Sequence, residues 1–163
     1  VVDFCKETPE NYRKEKKFKE VLFMFDLKEY FKPGESREIN KTVEVEDTVG
    51  NHSVHLNQLL STSACTDIFV QACTELVADR LPEGFITIGY NINITHLAPT
   101  LLGTSVSFKA RLTEISGNRL YFELSARDGK GKVLEGSFER VIVNRITLMD
   151  KAEERAKEIK NSK

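Results

Sequence analysis

Between Leu59 and Arg80 two neighbouring apolar rows run at helical spacing: Ala64, Ile68, Ala72 and Leu76, and beside them Cys65, Phe69, Cys73 and Val77. Residues four apart stack along one helix face, so two adjacent rows make a stripe broad enough to pack deeply against a sheet. Leu81-Pro82-Glu83-Gly84 stops the helix. Everything after it alternates with period two. Ile86, Ile88, Tyr90, Ile92 and Ile94 point one way, with Thr87, Gly89, Asn91, Asn93 and Thr95 the other. Val106, Phe108, Ala110 and Leu112 repeat the pattern, as do Leu120, Phe122, Leu124 and Ala126. Gly117-Asn118 and Asp128-Gly129-Lys130-Gly131 supply hairpin turns. A last strand runs from about Val133 to Arg145, with a bulge expected near Gly136.

Ahead of the helix, Ile39, Lys41, Val43 and Val45 alternate with polar residues, which predicts a strand over Glu38 to Val45. The order is therefore strand, long apolar helix, then four strands joined largely by hairpins. Each strand has one apolar face to cover, and the helix at 59–80 is the apolar element long enough to cover it. The expected class is α+β: a hot-dog fold, an antiparallel sheet wrapped around a long central helix. Exposed edges in so large a sheet invite pairing, so a homodimer is expected. The 163 residues suit one domain. They divide into an N-terminal helical extension over 1–35, the hot-dog domain over 36–147, and a charged C-terminal helix over 148–163. Thr8-Pro9-Glu10 is a helix-start signal in that extension, and Lys32-Pro33-Gly34-Glu35 closes it.

Charge narrows the partners. The formal net charge of -1 argues against a dedicated nucleic-acid binder. Arg13 to Glu20 holds five positive charges and two negative, and the interleaved acids favour a solvated helix face. The longest apolar run, Val21 to Phe25, is far short of the ~20 residues that span a bilayer. Val1-Val2-Asp3-Phe4-Cys5 shows no basic stretch followed by an apolar one of the kind expected in a secretory signal. Cys5, Cys65 and Cys73 are odd in number and lack metal-ligand spacing, so buried thiols and a cytoplasmic location are expected. No metal or cofactor is called for.

His96 continues the apolar row Ile92, Ile94 and ends its strand where Leu97-Ala98-Pro99 follows. A histidine there suits a general base, or a hydrogen-bonded structural group. His52 and His55 sit in a polar loop and read as ordinary loop residues.

The segment Thr95-His96-Leu97-Ala98-Pro99-Thr100 comes first in a longer series. Gly103, Val106, Ala110-x-Leu112, Gly117-x-Arg119-Leu120, Ala126-x-Asp128-Gly129 and Gly136-x-x-Glu139-Arg140 follow it in order. Together they resemble the fluoroacetyl-CoA thioesterase-like branch of the hot-dog superfamily, over roughly Leu59 to Asn144. The resemblance implies a catalytic threonine at Thr62, a catalytic histidine at His96, a glycine near the thioester at Gly89 and an arginine at Arg140. The position of the family's catalytic glutamate holds Val70, which can neither accept a proton nor orient water. Asp67, one turn earlier, is a candidate substitute or a solvated helix residue; Gln71 could only orient a water.

Thioester hydrolysis needs a base near neutrality and an activated water or nucleophile. His96 suits the base, and Thr62 a hydroxyl that positions water or attacks directly. Gly89 suits close backbone approach, or a strand bulge. Arg140 suits a carboxylate or phosphate, or an internal ion pair with a strand neighbour. The leading expectation is a cofactor-free acyl-CoA thioesterase. Fluoroacetyl-CoA itself is a poor candidate substrate without the glutamate. The alternative is a non-catalytic acyl-CoA or lipid-binding hot-dog protein, which Val70 favours; a hydratase is weaker for want of a His-plus-acid pair. Lys109, Arg111, Arg119 and Lys132 are candidates for CoA's phosphates, or scattered solvated charges.

Overall fold

A computed structural model describes residues 26–50 and 53–162. Cys5, the Thr8-Pro9 start signal, the basic run from Arg13 to Glu20 and His52 lie outside the described residues. A short helix α1 (Leu27–Tyr30) leads to strand β1 (Ser36–Thr42) and a 3-10 turn, Val45–Asp47. Helix α2 (Thr62–Val77) follows, and then β2 (Phe85–His96), β3 (Ser105–Ser116), β4 (Arg119–Asp128) and β5 (Gly131–Asn144). Helix α3 (Arg145–Asn161) ends the described chain. The five strands form one sheet in the order β1-β3-β4-β5-β2, with every neighbouring pair antiparallel. This is the α+β hot-dog arrangement expected from the sequence.

Helix α2 is shorter than the 59–80 expected. Ser61 caps it by accepting the Ala64 N–H at 3.1 Å, which fixes the start at Thr62. Leu59 and Leu60 are instead bridged to Leu101 and Thr48, and Ala78–Arg80 tightens into a 3-10 turn. The apolar stripe faces the sheet as expected. Cys65, Ile68, Phe69, Ala72, Cys73 and Val77 are buried, whereas Ser63, Asp67, Val70, Gln71 and Glu75 are on the outer side or part-exposed. Phe69 meets Phe108 of β3 edge-to-face at 5.5 Å between ring centroids. Truncating so deeply buried a phenylalanine to alanine costs roughly 3–5 kcal/mol.

The rows predicted in β3 and β4 are buried throughout. The single row predicted in β2 is not one row. The register shifts between Gly89 and Asn91, leaving Tyr90 as an extra residue in a bulge. Residues directly opposed in an antiparallel pair share a face. Thr87 opposes buried Ile142 and Gly89 opposes buried Arg140, whereas beyond the bulge Ile92 opposes Phe138 and His96 opposes Leu134. The helix-facing set is therefore Thr87, Gly89, Ile92, Ile94 and His96. Ile86 and Ile88 turn to the other face. The bulge expected near Gly136 falls three residues earlier, where Val133 is the extra residue between Lys132 and Leu134 opposite β4; Gly136 itself pairs in register with both Ile94 and Leu124. A Cβ at Gly136 would collide with the Asn93 carbonyl oxygen, so this glycine lets two backbones close up. The first strand ends at Thr42 rather than Val45, because Val45 opens the 3-10 turn.

Candidate functional site

The candidate site is assembled where β2 ends and α2 begins. The Leu97 and Ala98 N–H groups both donate to the Val133 carbonyl, at 2.9 and 3.2 Å, as the chain leaves His96. Two residues on, the buried Thr100 accepts the Leu60 N–H on its carbonyl at 2.9 Å, and Leu102 N–H donates to the Gln58 carbonyl. The exit of β2 is thereby stitched to the entrance of α2.

A second anchor comes from the 3-10 turn. The Asp47 carbonyl accepts the Ser61 N–H at 2.8 Å. The buried Asp47 carboxylate takes the Glu44 N–H at 2.9 Å and lies 3.1 Å from the Lys41 ammonium. The hydrogen bond to Asp47 raises the Lys41 pKa above its usual value. Lys41 stands in the apolar row of β1 with Ile39, so a cation on an inward face was the signal in the sequence that an acid waits there. Asp47 and Thr100 are positioning residues that the spacing of chemical groups did not reveal.

These anchors bring Thr62 Oγ1 to 3.0 Å from His96 Nε2. Both side chains are exposed, so a substrate can reach them. Among the described residues, no carboxylate hydrogen-bonds to His96. Val70, two turns beyond Thr62, is 36 % exposed. Asp67 lies five residues from Thr62, about 140° round the helix at 100° per residue, so it does not share Thr62's face. It is exposed and makes no hydrogen bond or ion pair among the described residues. Gln71 is committed elsewhere, donating to Glu75 Oε1 at 2.8 Å.

Gly89 and Arg140 are cross-strand partners, set apart from that pair. Gly89 is seven residues before His96 on the same strand, about 20 Å away at ~3.3 Å per residue. The space its missing Cβ leaves is closed by the Phe138 ring, 3.0 Å from where that atom would sit. Arg140 is 4 % exposed, and its guanidinium donates to Thr87 Oγ1 at 3.1 and 2.9 Å and to the Thr87 carbonyl at 3.1 Å. The ion pair considered for Arg140 is absent among the described residues. Burial pushes its pKa below the usual value, and the nearby Cys73 thiol offsets only part of that.

The four cations considered for CoA phosphates do not converge. Arg111 pairs with Glu123, Arg119 with Glu139, and Lys132 with Glu135. Arg119 and Lys132 stand at opposite ends of the β4–β5 hairpin. A groove of about 530 Å3, lined by Arg111, Tyr121, Glu123, Ser137 and Glu139, lies on the sheet and does not include Thr62 or His96. Among the described residues there is no cluster of His, Cys, Asp and Glu that could hold a metal ion, and no helix long and apolar enough to cross a membrane.

Known proteins share this fold and part of this sequence. A fluoroacetyl-CoA thioesterase from Streptantibioticus cattleyicolor is 30% identical over 87 residues, covering 53% of this chain. The chain spans 63% of that relative's length. A hot-dog-like protein from Thermanaerovibrio acidaminovorans superposes with a TM-score of 0.78 at 36% identity, over 80% of this chain and 97% of the other. A point mutant of the fluoroacetyl-CoA-specific thioesterase FlK, in complex with fluoroacetate and CoA, superposes at 0.65 with 26% identity, over 72% and 99%. The FlK family model, described as fluoroacetyl-CoA-specific thioesterase, matches residues 43–146. That span takes in the 3-10 turn, α2 and all four strands from β2 to β5, and by it the chain belongs to the fluoroacetyl-CoA-specific thioesterase family.

Proposed function

We propose that this protein hydrolyses acyl-CoA thioesters, with His96 as the base and Thr62 as its hydroxyl partner. The observation that carries the reading is the 3.0 Å contact between Thr62 Oγ1 and His96 Nε2 at an exposed site, in a chain of a thioesterase family. In the reaction, a water oxygen bonds to the thioester carbonyl carbon. One water proton passes to Thr62 Oγ1 as the threonine's own proton passes to His96 Nε2. The C–S bond then breaks, and the imidazolium returns the proton to the departing CoA thiolate, leaving a carboxylic acid. Threonine relays and positions; histidine holds the charge.

Two further parts belong to the same proposal. β2 is an edge strand of the sheet. Pairing with β2 of a second copy would cover that edge and make the homodimer. Gly89 and Arg140, too far along β2 and β5 to meet their own Thr62–His96 pair, are assigned to substrate contacts at the other copy's site. Asp67, exposed and off Thr62's face, remains the candidate carboxylate only if the acyl group or a second copy brings it near.

A second reading is supported by Val70. An apolar, part-exposed side chain where the family resemblance calls for a glutamate suits a non-catalytic acyl-CoA or lipid-binding protein. Steady hydrolysis of a panel of acyl-CoA esters, abolished in His96→Ala, supports the enzyme. Ligand binding without turnover, unaffected by that substitution, supports the binder.

A further inference from the structure

Two exposed cations near the end of β2, Arg127 and Lys130, were not among the four suggested by the sequence, and a third, Lys132, was. Arg127 and Lys132 oppose each other directly across the β4–β5 hairpin, and Lys130 sits in the turn between them. Like charges in directly opposed positions repel. Lys132 shares its charge with Glu135 at 3.0 Å, but neither Arg127 nor Lys130 has an acidic side-chain partner among the described residues. Asp128 does not neutralise them. Its Oδ1 is occupied in the turn by the Lys130 and Gly131 N–H groups, at 2.8 and 3.1 Å. Arg127 and Lys130 are exposed, and the Lys132 side chain keeps 41% of its surface in solvent. The hairpin therefore holds a concentration of positive charge that its own fold does not use.

The hairpin lies beside the exit of β2, with Arg127 and Lys132 on the sheet face away from α2 and Lys130 in the turn between the two faces. Val133, the residue after Lys132, accepts the two N–H groups that follow His96. His96 itself opposes Leu134. The turn at Lys130 is four residues beyond Leu134, about 13 Å at ~3.3 Å per residue. A CoA thioester held at His96 carries its first phosphates at the far end of the pantetheine arm, a chain about as long as four extended residues.

We propose that the β4–β5 hairpin, through Arg127, Lys130 and Lys132, binds the phosphorylated adenosine diphosphate end of the CoA thioester. The proposal rests on the acyl-CoA reading above and adds to it the place where the nucleotide is held. Two cations without carboxylate partners, beside a third shared with Glu135, bind a polyanion better than Arg111 and Arg119, each of which is paired with a carboxylate. The arrangement also predicts that the protein discriminates a CoA ester from the same acyl group on pantetheine alone.

The test compares acyl-CoA with acyl-pantetheine, in the full chain and in the variant Arg127→Gln/Lys130→Gln/Lys132→Gln. Lys157→Gln/Lys160→Gln on helix α3 is the charge control. Calorimetric binding of free CoA is measured on the same three proteins. The expected result is at least a tenfold fall in the ratio of kcat/KM for acyl-CoA over acyl-pantetheine in the hairpin variant. CoA binding weakens to match, with a shallower salt dependence, and the control keeps the parent ratio. An unchanged ratio with unchanged CoA affinity overturns the hairpin assignment while leaving the thioesterase reading in place. If neither ester is hydrolysed but CoA binding still falls in the hairpin variant, the nucleotide site stands and the catalytic reading falls. If neither ester is hydrolysed and CoA binds none of the three proteins, both fall.

Discussion

Thr62 Oγ1 and His96 Nε2 lie 3.0 Å apart across 34 residues of sequence. The contact joins the first residue of a helix to the last of a strand, two ends that backbone hydrogen bonds through Thr100 and Asp47 hold in place. Both groups are exposed, which is what a reaction on an incoming thioester requires.

His96→Ala is expected to lower kcat by about 10²–10⁴, the usual worth of a general base. Thr62→Ala should cost less, roughly tenfold, because a water can take the hydroxyl's place against the imidazole at the loss of one hydrogen bond. Steady-state kinetics on the two folded variants checks the order. Turnover surviving His96→Ala would leave acyl-CoA binding as the better account.

Val70→Glu restores the carboxylate that the family resemblance calls for, and should raise turnover at least several-fold. Val70 is 36 % exposed, so the new charge keeps part of its hydration and the fold should tolerate it. If Asp67 already serves, Asp67→Asn lowers kcat with the unfolding midpoint unchanged. An Asp67→Asn variant with parental kinetics removes Asp67 from the site.

Asp47→Ala removes the acceptor that holds the 3-10 turn together and leaves Lys41 without its acid. The start of α2 should shift and the Thr62–His96 contact lengthen. The expectation is a fall in kcat of at least tenfold, with KM little changed, since a misplacement near 1 Å costs up to about a hundredfold. Equal kinetics for the parent and this variant would show that Thr100 alone suffices.

Gly136→Ala should destabilise by roughly 1–3 kcal/mol, because its Cβ meets the Asn93 carbonyl and one of the two strands must move. Urea unfolding measures this. The same substitution at Gly129, where an added Cβ meets nothing, is the control.

Burial pushes the Cys65 and Cys73 thiols up to about 12. Their unfolded counterparts ionise near 9, so above that pH the unfolded state releases protons that the folded state keeps. Stability should fall as pH rises from about 9 towards 12 and should be insensitive to these thiols below about 8. Urea midpoints at about pH 8 and pH 10 test the sign, with Cys65→Ala/Cys73→Ala flattening the difference. Thiol reagents should reach the pair only on unfolding.

Sequence periodicity alone determined the element types and the buried rows, since apolar spacing of four or of two is a local property of the chain. It identified α2, the β3 and β4 core faces, and His96 as an inward residue at a strand end. It did not determine the faces of β2. The Tyr90 bulge moves everything beyond it to the opposite face, and its position depends on pairing with β5. Without that bulge, strict alternation from Thr87 would have sent His96 away from the helix; with it, His96 and Thr87 share the helix side. The end of the helix was likewise set from outside it. Ser61 caps and Asp47 anchors, and the second is a contact between distant segments. Which cations remain unpaired was also a tertiary matter, because Arg111 and Arg119 meet carboxylates from neighbouring strands while Arg127 meets Lys132. Spacing along a chain fixes which side chains share an element's face. Only the register between elements fixes which charges and hydroxyls meet.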